Sequence, residues 1–372
     1  MKKIIGIISF SLLFCYFIIS SIYVHRDELK NYWNNEEWKL VEILKTIPAS
    51  NYYAIDGNDR NLIVVGNNYA HGYSEIGKEN FDINVSLKNA IISTEGDYCI
   101  IGEKDASKIY MINSNAKIWE MDIQGTILYV SVNKNGYSAI VYKQLGYKSL
   151  IKVNKPNGEE LFTTYLASKY AVDVEISNDN KTLAIAEIDT DGVNVESIIE
   201  LVSMNDLENQ NSQKLELMEN LVITDIEYNS KNKLIVQTDK NFLFLEGEVL
   251  QKIGDDFNNN VKIASIESAD NPIIITKVDN GLFDSNYVLR IYENKNSGIV
   301  YEEYQIEEAP SIVSVNNGNI AMLLENELIV VNSNGKLIKK SDIIGIVKSI
   351  VMFNNGRAIA VIHREKIEFM KI

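Results

Sequence analysis

Cysteine, histidine and proline are scarce in this chain of 372 residues, which holds two, three and four of them. Cys15 lies inside an apolar run, so Cys99 is the only cysteine after it. No intramolecular disulfide can staple that part of the chain, and its fold must rest on a packed core. His25, His71 and His363 stand far apart, whereas an imidazole metal site needs two or more at fixed spacing. Basic residues are outnumbered, with 36 Lys and Arg against 51 Asp and Glu and a formal net charge of −15. No basic stretch appears, which speaks against a nucleic-acid partner, because phosphate binding concentrates Lys and Arg on one face. The G-x-S-x-G elbow of a serine nucleophile is missing as well. Beyond Asn51, helical periodicity is almost absent.

What the chain does have is a repeat. Ile91 to Gly102 (IISTEGDYCIIG), Val130 to Tyr142 (VSVNKNGYSAIVY), Val174 to Glu187 (VEISNDNKTLAIAE) and Val351 to His363 (VMFNNGRAIAVIH) share one pattern, and 226–237 and 312–324 follow it more loosely. Each has an alternating apolar stretch, a polar turn with Gly or Asn, and a second apolar stretch rich in β-branched residues. The turn residues Gly96, Gly136, Asn180, Asn232, Asn271, Gly318 and Gly356 are spaced by 40, 44, 52, 39, 47 and 38. A period of roughly 40 to 50 residues built from strands is the signature of β-propeller blades.

Asn-Gly pairs at 135–136, 157–158, 317–318, 334–335 and 355–356 mark hairpins, since both central residues of a type I′ turn need positive φ. Two successive hairpins make a four-stranded blade. Cutting at each inner strand gives blades near 51–86, 87–127, 128–170, 171–221, 222–260, 261–309 and 310–346, with 347–372 supplying only three strands. An open edge would expose unpaired backbone groups, so an N-terminal strand must complete the last blade. If that strand is Trp38 to Thr46 the ring has eight blades; if it is Asn51 to Ile55 it has seven.

Ahead of the repeats, Ile4 to Val24 is a run of 21 residues without a charge, about the length of a membrane-spanning helix. Lys2 and Lys3 precede it, which predicts a cytoplasmic N-terminus and an extracytoplasmic remainder. A cleavable signal peptide is the competing reading, but the run is long for one and lacks a small-residue cleavage site. The expected organisation is a cytoplasmic tail and anchor over 1–24, a juxtamembrane stalk or short helix over 25–50, and an all-β propeller over 51–372.

Individual residues offer little chemistry. Glu187, Asp189, Asp191 and Gly192 imitate the start of a calcium loop, but its twelfth position is Ile198, so an acidic turn is the better reading. Adjacent carboxylates at 159–160, 255–256, 302–303 and 307–308 would point to opposite faces of a strand, so a catalytic pair would have to be assembled from different blades. Tyr69, Tyr73, Tyr137, Tyr147, Tyr170 and Tyr287 fall in or beside turns, where aromatics can form a binding platform. No catalytic, cofactor-binding or metal-ligating residue is assigned, and no cofactor is called for.

The Lys-Lys tail, the single anchor, the charged stalk and repeats such as VSVNKNGYSAIVYK and VEISNDNKTLAIAEID resemble an uncharacterised family of membrane-anchored β-propellers from Firmicutes, most closely over 96–204. The repeats share features with WD-repeat, YVTN and quinoprotein-like propellers. They lack the Trp-Asp dipeptide of the first, the vicinal cysteines and stacked tryptophans of quinone-dependent dehydrogenases, and the S-x-D-x-G-x-T-W boxes of sialidases. The resemblance implies topology and compartment, and no catalytic residues.

The function expected from all this is a binding or scaffolding module at the cell membrane that engages a protein or a cell-envelope polymer through its loop faces. The alternatives are an envelope-glycan enzyme with carboxylates converging at the channel, and an accessory subunit packed through Gly6, Ser9 and Ser20 of the anchor.

Overall fold

The computed structural model describes residues 42–49, 52–114, 116–192, 194–205, 212–217, 221–279, 285–295 and 298–372. The apolar run 4–24, with Cys15, His25 and the stalk up to residue 41, lies outside the described residues. Among those described there is no helix, and so none long and apolar enough to cross a membrane.

The strands form eight sheets of four, each an antiparallel meander, arranged as the blades of a propeller. Blades 1 to 7 span 54–84, 90–122, 126–166, 170–216, 223–253, 261–306 and 312–342, close to the divisions expected from the repeat. Blade 8 takes Val347–Met352, Ala358–His363 and Lys366–Lys371 from the C-terminus and its outer strand, Glu42–Pro48, from the other end of the chain. Glu42 pairs with Lys371 and Pro48 with Lys366, so the ring is closed by backbone hydrogen bonds between the two ends. Of the two closing strands the sequence allows, the earlier one is used. Residues 42–48, inside the stretch read as a stalk or short helix, are therefore part of the ring.

Local sequence explains the hairpins. In blade 3 the Asn133 side chain accepts hydrogen bonds from the backbone N–H groups of Asn135 and Tyr137, at 3.1 Å each. Gly136 then takes φ +81°, a conformation that costs glycine almost nothing. Asn180 and Asn232 do the same work in blades 4 and 5 with φ +59° and +58°.

The core lies between blades. A strand's side chains alternate, so Ile140 of blade 3 packs toward blade 2 with Ile100 and Met111, while its neighbours Ala139 and Val141 pack toward blade 4 with Val174 and Ile185. Second strands are buried on both faces and read as continuous apolar runs, such as Ala358 to Ile362. Inner strands instead give one edge to the central channel, which leaves backbone groups there without a ladder partner.

Candidate functional site: the acidic channel mouth

The turns joining inner to second strands all open on one face of the ring. On that face a cavity of about 430 Å³ is lined by Asp59, Glu95, Glu227, Glu267 and Asp270, by a collar of asparagines, and by a single basic residue, Lys134. Below the rim the inner strands add Asp56, Asp173, Glu175 and Asp225. The carboxylates come from blades 1, 2, 4, 5 and 6 and were not singled out from the sequence. From blade to blade they lie one or two repeats apart in the chain, so no local search for adjacent acidic pairs finds them. The signal was the register before the turn, shared by Asp56-Gly57-Asn58, Glu175-Ile176-Ser177 and Glu227-Tyr228-Asn229.

Some of these groups are structural. The Asp173 carboxylate accepts from Val174 N–H at 2.8 Å in its own strand and from Ile226 N–H at 2.9 Å in blade 5. Glu267 accepts from Val315 N–H of blade 7 at 3.0 Å. Val132 N–H likewise donates to Ser93 Oγ at 3.2 Å, and Met352 N–H to Ser314 Oγ at 3.2 Å. One side chain of an inner strand thus satisfies the free backbone donor of the next, as buried donors require.

The asparagine collar completes the circuit. Asn133 Nδ2 donates to Ser177 O at 3.1 Å, Asn178 Nδ2 to Asn229 O at 3.0 Å, Asn316 Nδ2 to Asn354 Oδ1 at 2.6 Å and Asn355 Nδ2 to Asp59 O at 3.2 Å. Asp59 N–H reaches Gly96 O at 2.9 Å, and Ser230 Oγ reaches Asp270 Oδ1 at 2.8 Å. With these, all eight blade-to-blade boundaries carry a hydrogen bond near the mouth.

Burial raises the pKa values of these carboxyl groups, and at several of them a neighbouring carboxylate adds to it. Burial pushes Asp56 to about 6, against the lowering pull of hydrogen bonds from Gly57 N–H and Thr94 Oγ1. Burial and the neighbouring Asp59 push Glu95 to about 7, with Lys134 pulling it back down. Asp173 rises to about 8 through burial and the charge of Asp225, with which it shares a hydrogen bond. Glu175 and Glu227 are pushed well up by burial and by neighbouring carboxylates. Glu267 is pushed to about 7, but it is exposed at the open rim, where water screens it more than the deeper groups. Tyr129 also faces the channel, its phenol driven upward by burial and by Asp173, Glu175 and Glu227. The mouth therefore holds carboxyl groups whose pKa values are raised from the ordinary range, and those that ionise attract cations in a medium that screens poorly.

The residues weighed from the sequence lie elsewhere. In the loop after Ile188, Asp189 accepts from Asp191 N–H at 2.9 Å, and Asp191 pairs with Lys148 at 2.6 Å. That is a turn held by side chains. Glu187 is buried between blades 3 and 4 beside Lys169 at 3.5 Å. His71 sits between the Tyr73 hydroxyl and Asp82, each at 3.1 Å. His363 is buried against Glu368 at 3.0 Å. Glu159 pairs with Lys155 and Glu303 with Arg290 on the solvated outer strands.

The turn tyrosines divide. Tyr137 and Tyr287 pack into inter-blade cores, and Tyr69 and Tyr73 flank the His71 ring. Tyr147 meets Tyr165 at 5.2 Å on the surface, and Tyr170 lies under the Lys148 ammonium at 4.9 Å.

Known proteins agree with this architecture. The chain is similar to the C-terminal WD40 domain of Sif2, at 13% identity over 90% of this chain and 99% of that one, with a TM-score of 0.62. It is also similar to BamB from Moraxella catarrhalis, at 10% identity over 90% and 100% of the two chains with a TM-score of 0.53. A eukaryotic initiation factor shares 9% identity over 89% and 86%, again at 0.53. At such identities the likeness is one of fold. No curated protein matches the chain. Residues 34–372 match a family of unknown function (DUF5711), and the chain belongs to that family.

Proposed function

We propose that this propeller is a binding module, anchored in the cell membrane by 4–24 and facing outward, that takes a positively charged part of a partner protein into its channel mouth. The observation that carries the reading is the mouth itself: carboxylates from four blades line a cavity that holds Lys134 as its one cation, with Asp173 and Glu175 of blade 4 on the inner strand below. A surface of that sign speeds and orients the approach of a basic partner. It repels an anionic envelope polymer, which makes a protein the better ligand for this face. The Lys-Lys tail and the uncharged run of 21 residues support the anchor and its orientation. The chain also enters the ring at Glu42, beside Lys371 and on the same face as the mouth.

An envelope-glycan enzyme would draw on the same carboxylates, with Asp173 near 8 as the obvious acid. Asp173, however, is 4% exposed, and its oxygens are occupied by Val174 N–H and Ile226 N–H. It also hydrogen-bonds Asp225, closer than the roughly 5 to 9.5 Å that glycosidase pairs keep. The group is built into the ring instead of facing a substrate, and binding is the stronger reading.

The test is capture of partners from native membranes by the full chain and by a Glu175→Gln, Glu227→Gln variant with an unchanged melting temperature. The wild type should retain a protein that salt elutes and that the variant loses. Equal capture by both overturns the reading. Protease shaving of wall-stripped cells should remove the propeller if it faces outward.

A further inference from the structure

The mouth is not a closed bowl. Between blades 5 and 6 a second cavity of about 440 Å³ shares Asn229, Ser230, Ala269, Asp270 and Asn271 with it. Two features of the sequence make this gap. The outer strands of blade 5, Phe242–Glu246 and Val249–Ile253, are five residues each, while those of blade 6, Ser285–Lys295 and Gly298–Ile306, are eleven and nine. Blade 6 therefore stands above blade 5 on the mouth face. Its inner turn, 266–272, is also long and ends in Pro272, whose carbonyl accepts from Tyr292 N–H at 2.8 Å.

The step leaves a radial groove in which Ile299 is half-buried, while Ile235 and Ile253 beneath it and Tyr292 beside it are nearly buried and present only their edges. Gly254 permits the wall to close in, because a Cβ there would stand 2.7 Å from the Tyr292 ring. Its lip is polar, with Ser230, Asn271 and Asn334 presenting side-chain donors and acceptors and Lys231 placing one positive charge at the blade 5 side. A site that is acidic at its inner end, apolar along its floor and amide-lined at its lip fits one class of occupant. Charge selects the inner residue, and a hollow of this volume lies in the usual range for an organic ligand.

We propose that the partner segment lies extended across the boundary of blades 5 and 6, with a basic side chain in the mouth and a nearby large apolar side chain in the groove against Tyr292 and Ile299. The proposal rests on the binding reading above and adds the partner's chemistry. Burial of one aromatic side chain is worth about 1.5 to 3 kcal/mol, or roughly a tenfold to hundredfold gain in affinity.

The experiment uses the full chain in detergent and blocked, labelled glycine-based peptides read by fluorescence anisotropy. One peptide carries an arginine alone, one a phenylalanine alone, and two carry both, separated by one or by three glycines. At least one of the double peptides should bind tenfold or more tightly than the arginine peptide. Ile299→Ser should abolish that advantage and leave arginine-peptide binding unchanged. If Ile299→Ser does not fold, Asn334→Trp at the exposed lip should block the groove with the same result. Equal affinity of the double and arginine peptides overturns the groove while the mouth stands. Binding of the phenylalanine peptide as tight as that of the double peptides overturns the linkage between the two. If no arginine-bearing peptide binds, the mouth reading falls and takes the groove with it.

Discussion

Gly136 carries two constraints at once: its φ is +81°, and a Cβ added there would sit 2.6 Å from the Tyr98 ring of blade 2. Gly146 has a similar φ of +95°, but nothing within 4 Å of such a Cβ. Alanine at Gly146 should cost only the left-handed backbone penalty of about 1 to 2 kcal/mol. Alanine at Gly136 should cost that plus displacement of Tyr98, so urea unfolding should show it to be the worse by about 1 kcal/mol or more. Equal losses would mean that Tyr98 yields freely. The turn residues are the most legible part of the chain, because six of the seven marked by the repeat take positive φ, where Asn and Gly are favoured locally. Of the five Asn-Gly pairs only Asn317-Gly318 has both residues at positive φ, so the type I′ expectation does not hold at the other four. Asn271 is the exception. It marks the long inner turn of blade 6, where no positive φ is needed and spacing alone suggests the position.

At the level of the strand, Glu42–Pro48 decides whether the ring closes. It pairs along Lys366–Lys371 and sets Ile47 against Phe369 and Ile367 in the boundary of blades 8 and 1. A chain beginning at Asn51 would leave the edge of Lys366–Lys371 open, and unpaired edges template aggregation. That truncation should melt at least about 10 °C lower, or come out insoluble, by the usual conversion of a few kcal/mol into melting temperature. A circular permutant distinguishes lost pairing from lost length. Ile372 joined to Glu42 by a short loop, with new ends opened in 167–169, retains every strand pair and should melt within a few degrees of the native chain. A permutant as unstable as the truncation would refute closure as the reason. The sequence leaves this strand open to two readings because 38–46 mixes charge with apolar residues and has no clean alternation. Its exposed face looks outward, and only pairing with the far end of the chain fixes it.

For the molecule as a whole, closing the ring gathers charges that the sequence keeps one or two repeats apart, and this is why the site is hidden in the sequence while the fold is plain. Propeller geometry turns one inner-strand position per blade into a circle, and the stepped groove depends further on the relative heights of two blades, which no single repeat encodes. Burying carboxyl groups in the ring also has a thermodynamic sign. Asp173, with a value near 8 in the folded state against an ordinary 3.8 for a solvated aspartate, holds its proton where the unfolded chain has released it. Glu95 near 7 and Asp56 near 6 behave alike. In the window between the unfolded and folded values the native state binds more protons, so stability falls as pH rises, by about 1.4 kcal/mol per pH unit for each fully shifted group. The melting temperature should therefore be higher near pH 5.5 than near pH 8.5, the reverse of the trend set by salt-bridged carboxylates. A cationic ligand in the mouth replaces those protons. Its binding should release protons at pH 7, measurable as a dependence of the calorimetric heat on the buffer's ionisation enthalpy, and should tighten toward pH 8.5. A melting temperature that rises steadily from pH 5.5 to 8.5 would show that the carboxylates are ionised and solvated, and the mouth would then be an ordinary acidic surface with no stored proton load.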